Sequence, residues 1–215
     1  MDFDDEDYRD RLGPVPVRAI PSKELFASEI PQDFTHFSWD RVKPALRETV
    51  QAHIAKLHEL EPKGYGILFY GKEYGHGKTS LAIQCMLEGM RRGAVGGYFC
   101  EPTDLHMVFT QPFNHITSSG KPLGDKLRDA QILVLDELGE EIASEKNRPW
   151  FKTLIRHRYN HRRLTYLTSN LDPAFFIKAF PWFEGILVER FQLILVHDKQ
   201  QRVENAEQNK KDAKG

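Results

Sequence analysis

The stretch "GILFYGKEYGHGKTSLA", residues 66–82, decides the fold. Its apolar start, "ILFY", reads as a short buried strand, and Lys78 opens a mostly apolar helix. Between them lies a glycine-rich turn. A strand feeding such a turn at a helix N-terminus suits phosphate, because backbone N–H groups and the positive end of the helix converge there. The strict form of this loop is G-x-x-x-x-G-K-[ST]. Counting back from Gly77-Lys78-Thr79, the slot for the first glycine holds Lys72, and Gly71 lies one residue too early. The extra residue falls in 72–74, on the approach to the loop and not in its cradle. Gly75 and Gly77 stand where the backbone must curl without a Cβ in the way. The competing reading is a glycine turn capping an ordinary helix.

The rest of the chain favours a working nucleotide loop with a lengthened approach. Gly75, His76, Gly77, Lys78, Thr79 and Ser80 form its candidate cofactor-binding run. Lys78 is placed to reach the β- and γ-phosphates of ATP, and Thr79 to offer its hydroxyl to Mg²⁺. A second apolar run, "ILVLDELG" at 132–139, ends in Asp136 and Glu137. A buried parallel strand ending in two carboxylates puts both at the C-terminal edge of its sheet, where open α/β sheets bind ligands. Asp136 suits water-mediated Mg²⁺ coordination, and Glu137 suits orienting or deprotonating an attacking water. Two acids that merely end a strand and face solvent are the plain alternative, which the loop upstream weakens. "YLTSN" at 166–170 repeats the arrangement, and the amide of Asn170 can hold the γ-phosphate or the water. Arg190, in "LVERFQLILV", sits at a helix-to-strand junction from which a guanidinium can project. An arginine supplied in trans stabilises the charge of phosphoryl transfer.

Composition bounds the remaining classes. The 215 residues suit one domain with appendages, and 40% hydrophobic with 28% charged residues indicates a soluble protein with a core. No apolar run approaches the ~18 residues that span a bilayer. The start, "MDFDDEDYRD", is acidic where a signal peptide is basic and then apolar, so a cytoplasmic location is expected. Cys85 and Cys100 form no C-x-x-C pair, and the nine histidines show no metal-ligand spacing. Residues 1–30 read as an acidic, proline-containing arm, 31–197 as the ATPase domain, and 198–215 as a polar tail. Within the domain, helical stretches at 42–57, 78–91, 102–109, 150–161, 172–180 and 182–190 alternate with strands at 66–71, 96–100, 131–136, 164–169 and 191–196. Continuous apolar strands alternating with helices predict a three-layer α/β domain with a mostly parallel sheet.

With these motifs together, the sequence resembles the AAA+ ATPases of the initiator and helicase-loader group. It is similar to the DnaC/DnaI-type loaders and to the related IstB-type transposition helpers. The likeness covers about residues 30–196. It rests on "IPQDFTHFSWD", "GILFYGKEYGHGKTSLA", "ILVLDELGEE", "LIRHRYNHRRLTYLTSNL" and "ILVERF". It implies a P-loop NTPase of the AAA+ type. Lys78 and Thr79 match the Walker A residues, Asp136 and Glu137 the Walker B pair, Asn170 sensor 1, and Arg190 the trans-acting arginine finger. The catalytic set is then Lys78, Glu137, Asn170 and Arg190, and the metal-binding pair Thr79 and Asp136. Arg158-Tyr159 matches an Arg-Tyr pair expected near a subunit interface. The chain ends soon after "FQLILV", too early for a C-terminal lid, which the resembled group also tends to lack. Loaders usually carry a larger N-terminal helicase-binding domain, some with a zinc site, where this chain has about thirty residues and no zinc ligands.

The resemblance implies an ATP-hydrolysing homo-oligomer that helps place a replicative helicase on single-stranded DNA. The rival readings are an IstB-like helper with a transposase as client, a small-molecule kinase, and a nucleotide-gated adaptor with little turnover. "RHRYNHRR" at 156–163 interleaves four arginines with two histidines and a tyrosine. Arg156, Arg158, Arg162 and Arg163 suit single-stranded DNA, or equally a solvated helix end. Lys121 and Lys126, in "TSSGKPLGDKLRD", fall in an element that lines a central pore in assemblies of the resembled loaders; a solvated loop is the alternative. Phe113 in "QPFN" reads as a core anchor. The acidic arm suits docking on a basic partner surface, or a solubilising role.

Overall fold

The computed structural model describes residues 18–31, 34, 37–72, 77–93, 96–101, 116–118 and 120–196. The apolar runs become five strands: β1 (Gly66–Tyr70), β2 (Gly97–Cys100), β3 (Ile132–Leu138), β4 (Leu164–Ser169) and β5 (Phe191–Leu195). All pair in parallel, in the order β2-β3-β4-β1-β5. β1 to β4 are covered on both faces, which is why they read as unbroken apolar runs rather than alternating ones, whereas Leu193 and Leu195 of the edge strand β5 are exposed.

Alternate residues of each strand feed two cores. Ile67 and Phe69 of β1, Val134 of β3 and Tyr166 of β4 face α2 (Pro44–Ala55) and α4 (Lys78–Arg91), where Val50, Ile54, Leu81, Cys85 and Met86 lie. Leu68, Leu133, Leu135 and Leu167 face the other side. There they meet Leu127 of α5 (Leu123–Asp129), Phe151 and Leu154 of α6 (Arg148–Asn160), Phe176 of α7 (Pro173–Ala179) and Phe183 of α8 (Phe183–Arg190). Each fully buried side chain of this size contributes about 1.5–3 kcal/mol. The result is a three-layer α/β domain. Pro44 is tolerated because it sits in the first turn of α2, and the short α3 (Leu57–Leu60) follows a break at Lys56.

Residues 18–30, grouped with the arm on composition, are built onto the domain. Arg18 N donates to Arg91 O at 2.9 Å, and Phe99 N of the edge strand β2 donates to Ser28 O at 2.9 Å. The short α1 (Ser22–Ala27) lies between these contacts, and Ile20, Leu25 and Ile30 pack on the α2/α4 core. The segment thereby covers part of a sheet edge that would otherwise be open. The helical stretch expected at 102–109, Phe113, the tail at 198–215 and any lid after residue 196 lie outside the described residues. Among the described residues, no helix is long and apolar enough to cross a membrane.

Candidate nucleotide site

Because β4 lies between β1 and β3, the ends of these three strands stand side by side at the C-terminal edge of the sheet. The loop after β1, the polar end of β4 and the two carboxylates of β3 therefore share one edge. Gly77 is the N-cap of α4 with φ 85°, a left-handed conformation that glycine adopts without steric cost. Lys78 is only 7% exposed, and its Nζ donates to Gly71 O at 3.0 Å. Gly71, one residue early for the strict pattern, is thus the glycine on which the lysine closes. Thr79 and Ser80 lie in the first turn of α4, both half-buried. Gly75 and His76 lie outside the described residues.

Three side chains tie the edge together. Thr79 Oγ1 donates to Asp136 Oδ1 at 2.9 Å, and Thr168 Oγ1 donates to the same oxygen at 2.6 Å. Thr168 Oγ1 in turn accepts from Glu137 N at 2.8 Å. Burial pushes the Asp136 carboxyl above the usual carboxylate range. The two threonine hydrogen bonds oppose this, and the neighbouring Glu137 charge adds to it. A cation beside Asp136 would reverse that preference. One hydroxyl and one carboxylate are hard oxygen donors that fit Mg²⁺, which takes one or two carboxylates and draws its other ligands from phosphate and water. Among the described residues, no group of three or more His, Cys, Asp or Glu could hold a metal by itself.

Strict alternation would send Asp136 and Glu137 to opposite faces of the sheet. The pairing of β3 with β4 instead shifts between Leu135↔Leu167 and Leu138↔Ser169. Three steps on β3 oppose two on β4, and Glu137 takes φ 49°. Such a bulge re-aims a side chain, and here Asp136 is buried while Glu137 is exposed. A non-glycine residue in this backbone region is held by its surroundings, here by the bond from Glu137 N to Thr168. Ser169 Oγ donates to Leu138 O at 2.5 Å and accepts from Leu171 N at 2.9 Å, shaping the turn that carries half-buried Asn170. The sequence marks Thr168 and Ser169 as the polar end of a buried strand, but nothing in it shows that Thr168 secures both acids.

Arg190 does not join this edge. It ends α8, and the next residue, Phe191, pairs with Gly66 at the start of β1. It therefore lies at the N-terminal edge of the sheet, opposite the loop of its own chain. Its Nη1 donates to Lys63 O, its Nη2 lies 3.0 Å from Glu189 Oε1, and its guanidinium sits 5.0 Å over the Tyr159 ring.

The basic cluster divides. Arg158 is 1% exposed, so it can touch neither DNA nor a neighbouring subunit. Its Nε donates to Thr165 Oγ1 at 2.9 Å and its Nη2 to Leu164 O at 2.7 Å. Its Nη1 donates to Leu127 O and Ala130 O, each at 2.8 Å, and to Arg128 O at 3.2 Å. Burial lowers its pKa to about 9, with the nearby Arg163 charge adding to the shift. It faces inward because it continues the buried stripe of Phe151, Leu154 and Ile155 on α6. The carbonyls at the negative end of α5 receive it. Arg156, Arg162 and Lys121 are exposed, and Arg163 and Lys126 half-buried. Lys126 Nζ lies 5.4 Å over the Tyr98 ring, and burial, followed by the Lys121 charge, holds its pKa below the ordinary lysine range.

The strand order and the loop-to-helix junction define a P-loop NTPase fold of the AAA+ type. No protein-family model matches the chain, and no curated protein matches it. Solved structures do. The DnaC helicase loader aligns at TM-score 0.58 and 21% identity, covering 78% of this chain and 100% of that one. DnaI aligns at TM-score 0.61 and 20% identity, covering 79% and 95%. The replication initiator DnaA, bound to AMPPCP and single-stranded DNA, aligns at TM-score 0.56 and 16% identity, covering 74% and 47%. The chain has the AAA+ fold in the form seen in the DnaC and DnaI structures.

Proposed function

We propose that this chain is a cytoplasmic, ATP-hydrolysing AAA+ protein of DNA replication that assembles with copies of itself and helps place a replicative helicase on single-stranded DNA. The observation that carries the reading is the meeting of Thr79 and Thr168 on Asp136, which joins the phosphate loop to the carboxylate strand. The likeness to a helicase loader and to an initiator holding a nucleotide analogue and single-stranded DNA supports it.

In this reading residues 75–80 cradle the phosphates, and Lys78 exchanges Gly71 O for β- and γ-phosphate oxygens. Thr79 and Asp136 hold Mg²⁺, which when bound neutralises charge on the phosphates. Glu137, exposed by the bulge, orients a water and takes its proton as the water attacks the γ-phosphorus and the bond to the β-phosphate oxygen breaks. Asn170 holds the γ-phosphate or the water. Arg190 acts in trans, since its own loop lies at the other edge of the sheet. Arg156, Arg162, Arg163, Lys121 and Lys126 are the cations offered to DNA.

Phosphate release from ATP, with and without single-stranded DNA, tests this. Turnover is expected to rise with DNA, and to fall by about 10²-fold or more in Lys78→Ala and Glu137→Gln. ATP binding that depends on Lys78 without turnover would replace hydrolysis with a nucleotide-gated adaptor. A phosphorylated acceptor in place of free phosphate would indicate a kinase. Pull-down with a replicative helicase against a transposase decides the client.

A further inference from the structure

Arg190 stands in a closed ring of contacts within its own chain. Tyr159 Oη donates to Glu189 Oε2 at 2.6 Å, and Glu189 Oε1 lies 3.0 Å from Arg190 Nη2. The guanidinium sits 5.0 Å over the Tyr159 ring, while its Nη1 donates to Lys63 O. The chemistry above uses neither Tyr159 nor Glu189, yet both engage the cation assigned above to the nucleotide of a second copy. Tyr159, on α6, supplies a flat face and a hydroxyl. Glu189, at the end of α8, supplies a charge. Arg190 Nε is buried and has no hydrogen-bond partner in this arrangement. A guanidinium with an idle buried donor is short of an acceptor.

We propose that Glu189 and Tyr159 are positioning residues that latch Arg190 in the lone chain. Glu189 occupies the place that a phosphate oxygen of the nucleotide on a second copy takes on assembly. The inference rests on the reading of Arg190 as acting in trans. The balance of strengths supports a latch that yields. The Glu189 side chain is 53% exposed and that of Arg190 19%. An ion pair this open shifts an equilibrium by only about two- to fivefold. A phosphate brings more charge and several acceptor oxygens in a geometry that guanidinium matches. Once displaced, the Glu189 carboxylate stays bound to the Tyr159 hydroxyl, and the ring remains as the face on which Arg190 rests. The latch therefore sets the concentration at which copies associate without blocking association.

Sedimentation velocity of the full chain with Mg²⁺ and a non-hydrolysable ATP analogue, over a range of protein concentrations, tests it. Glu189→Gln removes the charge and keeps an oxygen for Tyr159, and should lower the association midpoint about two- to fivefold. Tyr159→Phe keeps the ring but frees the carboxylate from its tether, and should move the midpoint the same way by less. In an Arg190→Ala background, Glu189→Gln should add nothing. A midpoint unmoved or raised in Glu189→Gln, or a shift that persists without Arg190, overturns the latch and leaves the ATPase reading standing. A wild-type chain that does not associate at any concentration overturns the trans reading and the latch with it.

Discussion

Arg158 and Lys78 are both long cations that the fold buries, and their acceptors set them apart. Arg158 serves the fold: four backbone carbonyls and Thr165 fix its guanidinium. Lys78 closes on Gly71 O, an acceptor that a phosphate can replace. Arg158→Met should destabilise the protein by about 3 kcal/mol or more, because several buried carbonyls lose their donor at once. Urea unfolding measures this, and single-stranded DNA affinity of the folded variant should match wild type. The inward direction of Arg158 was legible in the spacing of Phe151, Leu154, Ile155 and Arg158, which is that of one helix face. Composition hides it, since four arginines in eight residues suggest a solvated patch. The bond from Lys78 to Gly71 was not legible, because loop closure depends on backbone geometry that spacing does not encode.

At the scale of elements, the apolar runs located the five described strands, because a buried strand cannot hide its composition, whereas α5 falls in a polar stretch whose residues read as well as a solvated loop. Two features escaped that reading for different reasons. The bulge at Asp136-Glu137 arises from the pairing of β3 with β4, a relation between two distant segments. The docking of α1 comes from contacts such as Phe99 N to Ser28 O, whereas its own residues read as a continuation of the arm. Gly66, by contrast, marks a tight junction. A Cβ there would lie 1.8 Å from Thr165 O, a backbone atom of β4 that cannot swing aside. Gly66→Ala should force β1 and β4 apart and cost about 3 kcal/mol or more. Thermal unfolding followed by circular dichroism would show it as a large drop in Tm, and an unchanged Tm would mean that the two strands are not packed this closely.

At the scale of the whole molecule, the three-layer class was readable from alternation, while the strand order was not, since it is a matter of which distant runs pair. One buried group gives the molecule a pH dependence. His53 packs in the α2/α4 core with Nε2 3.2 Å from Tyr166 Oη, and burial lowers its pKa from 6.5 to about 4. The folded state holds this ring neutral, so its contribution to stability is complete above pH 6.5. As pH falls from 6.5 to 4 the unfolded chain takes up a proton that the folded one refuses, and stability declines by about 3 kcal/mol. His53→Gln should flatten that part of the profile. Urea midpoints at pH 7.5 and pH 4.5 for both proteins check it, and equal slopes would show that His53 is not the group responsible.

The strand order also governs how the chain can fold as it is made. β1 is the first of the described strands to leave the ribosome, yet both its neighbours, β4 and β5, follow it by more than ninety residues. β2 and β3 can pair early, but β1 and the loop behind it must wait until residues 164–195 have emerged. Closing such long-range parallel pairings is slow, and the waiting strand is apolar on both sides. A nascent chain stalled before residue 164 would therefore carry an unpaired hydrophobic strand and no formed phosphate cradle, a species that calls for chaperone cover until β4 and β5 have emerged.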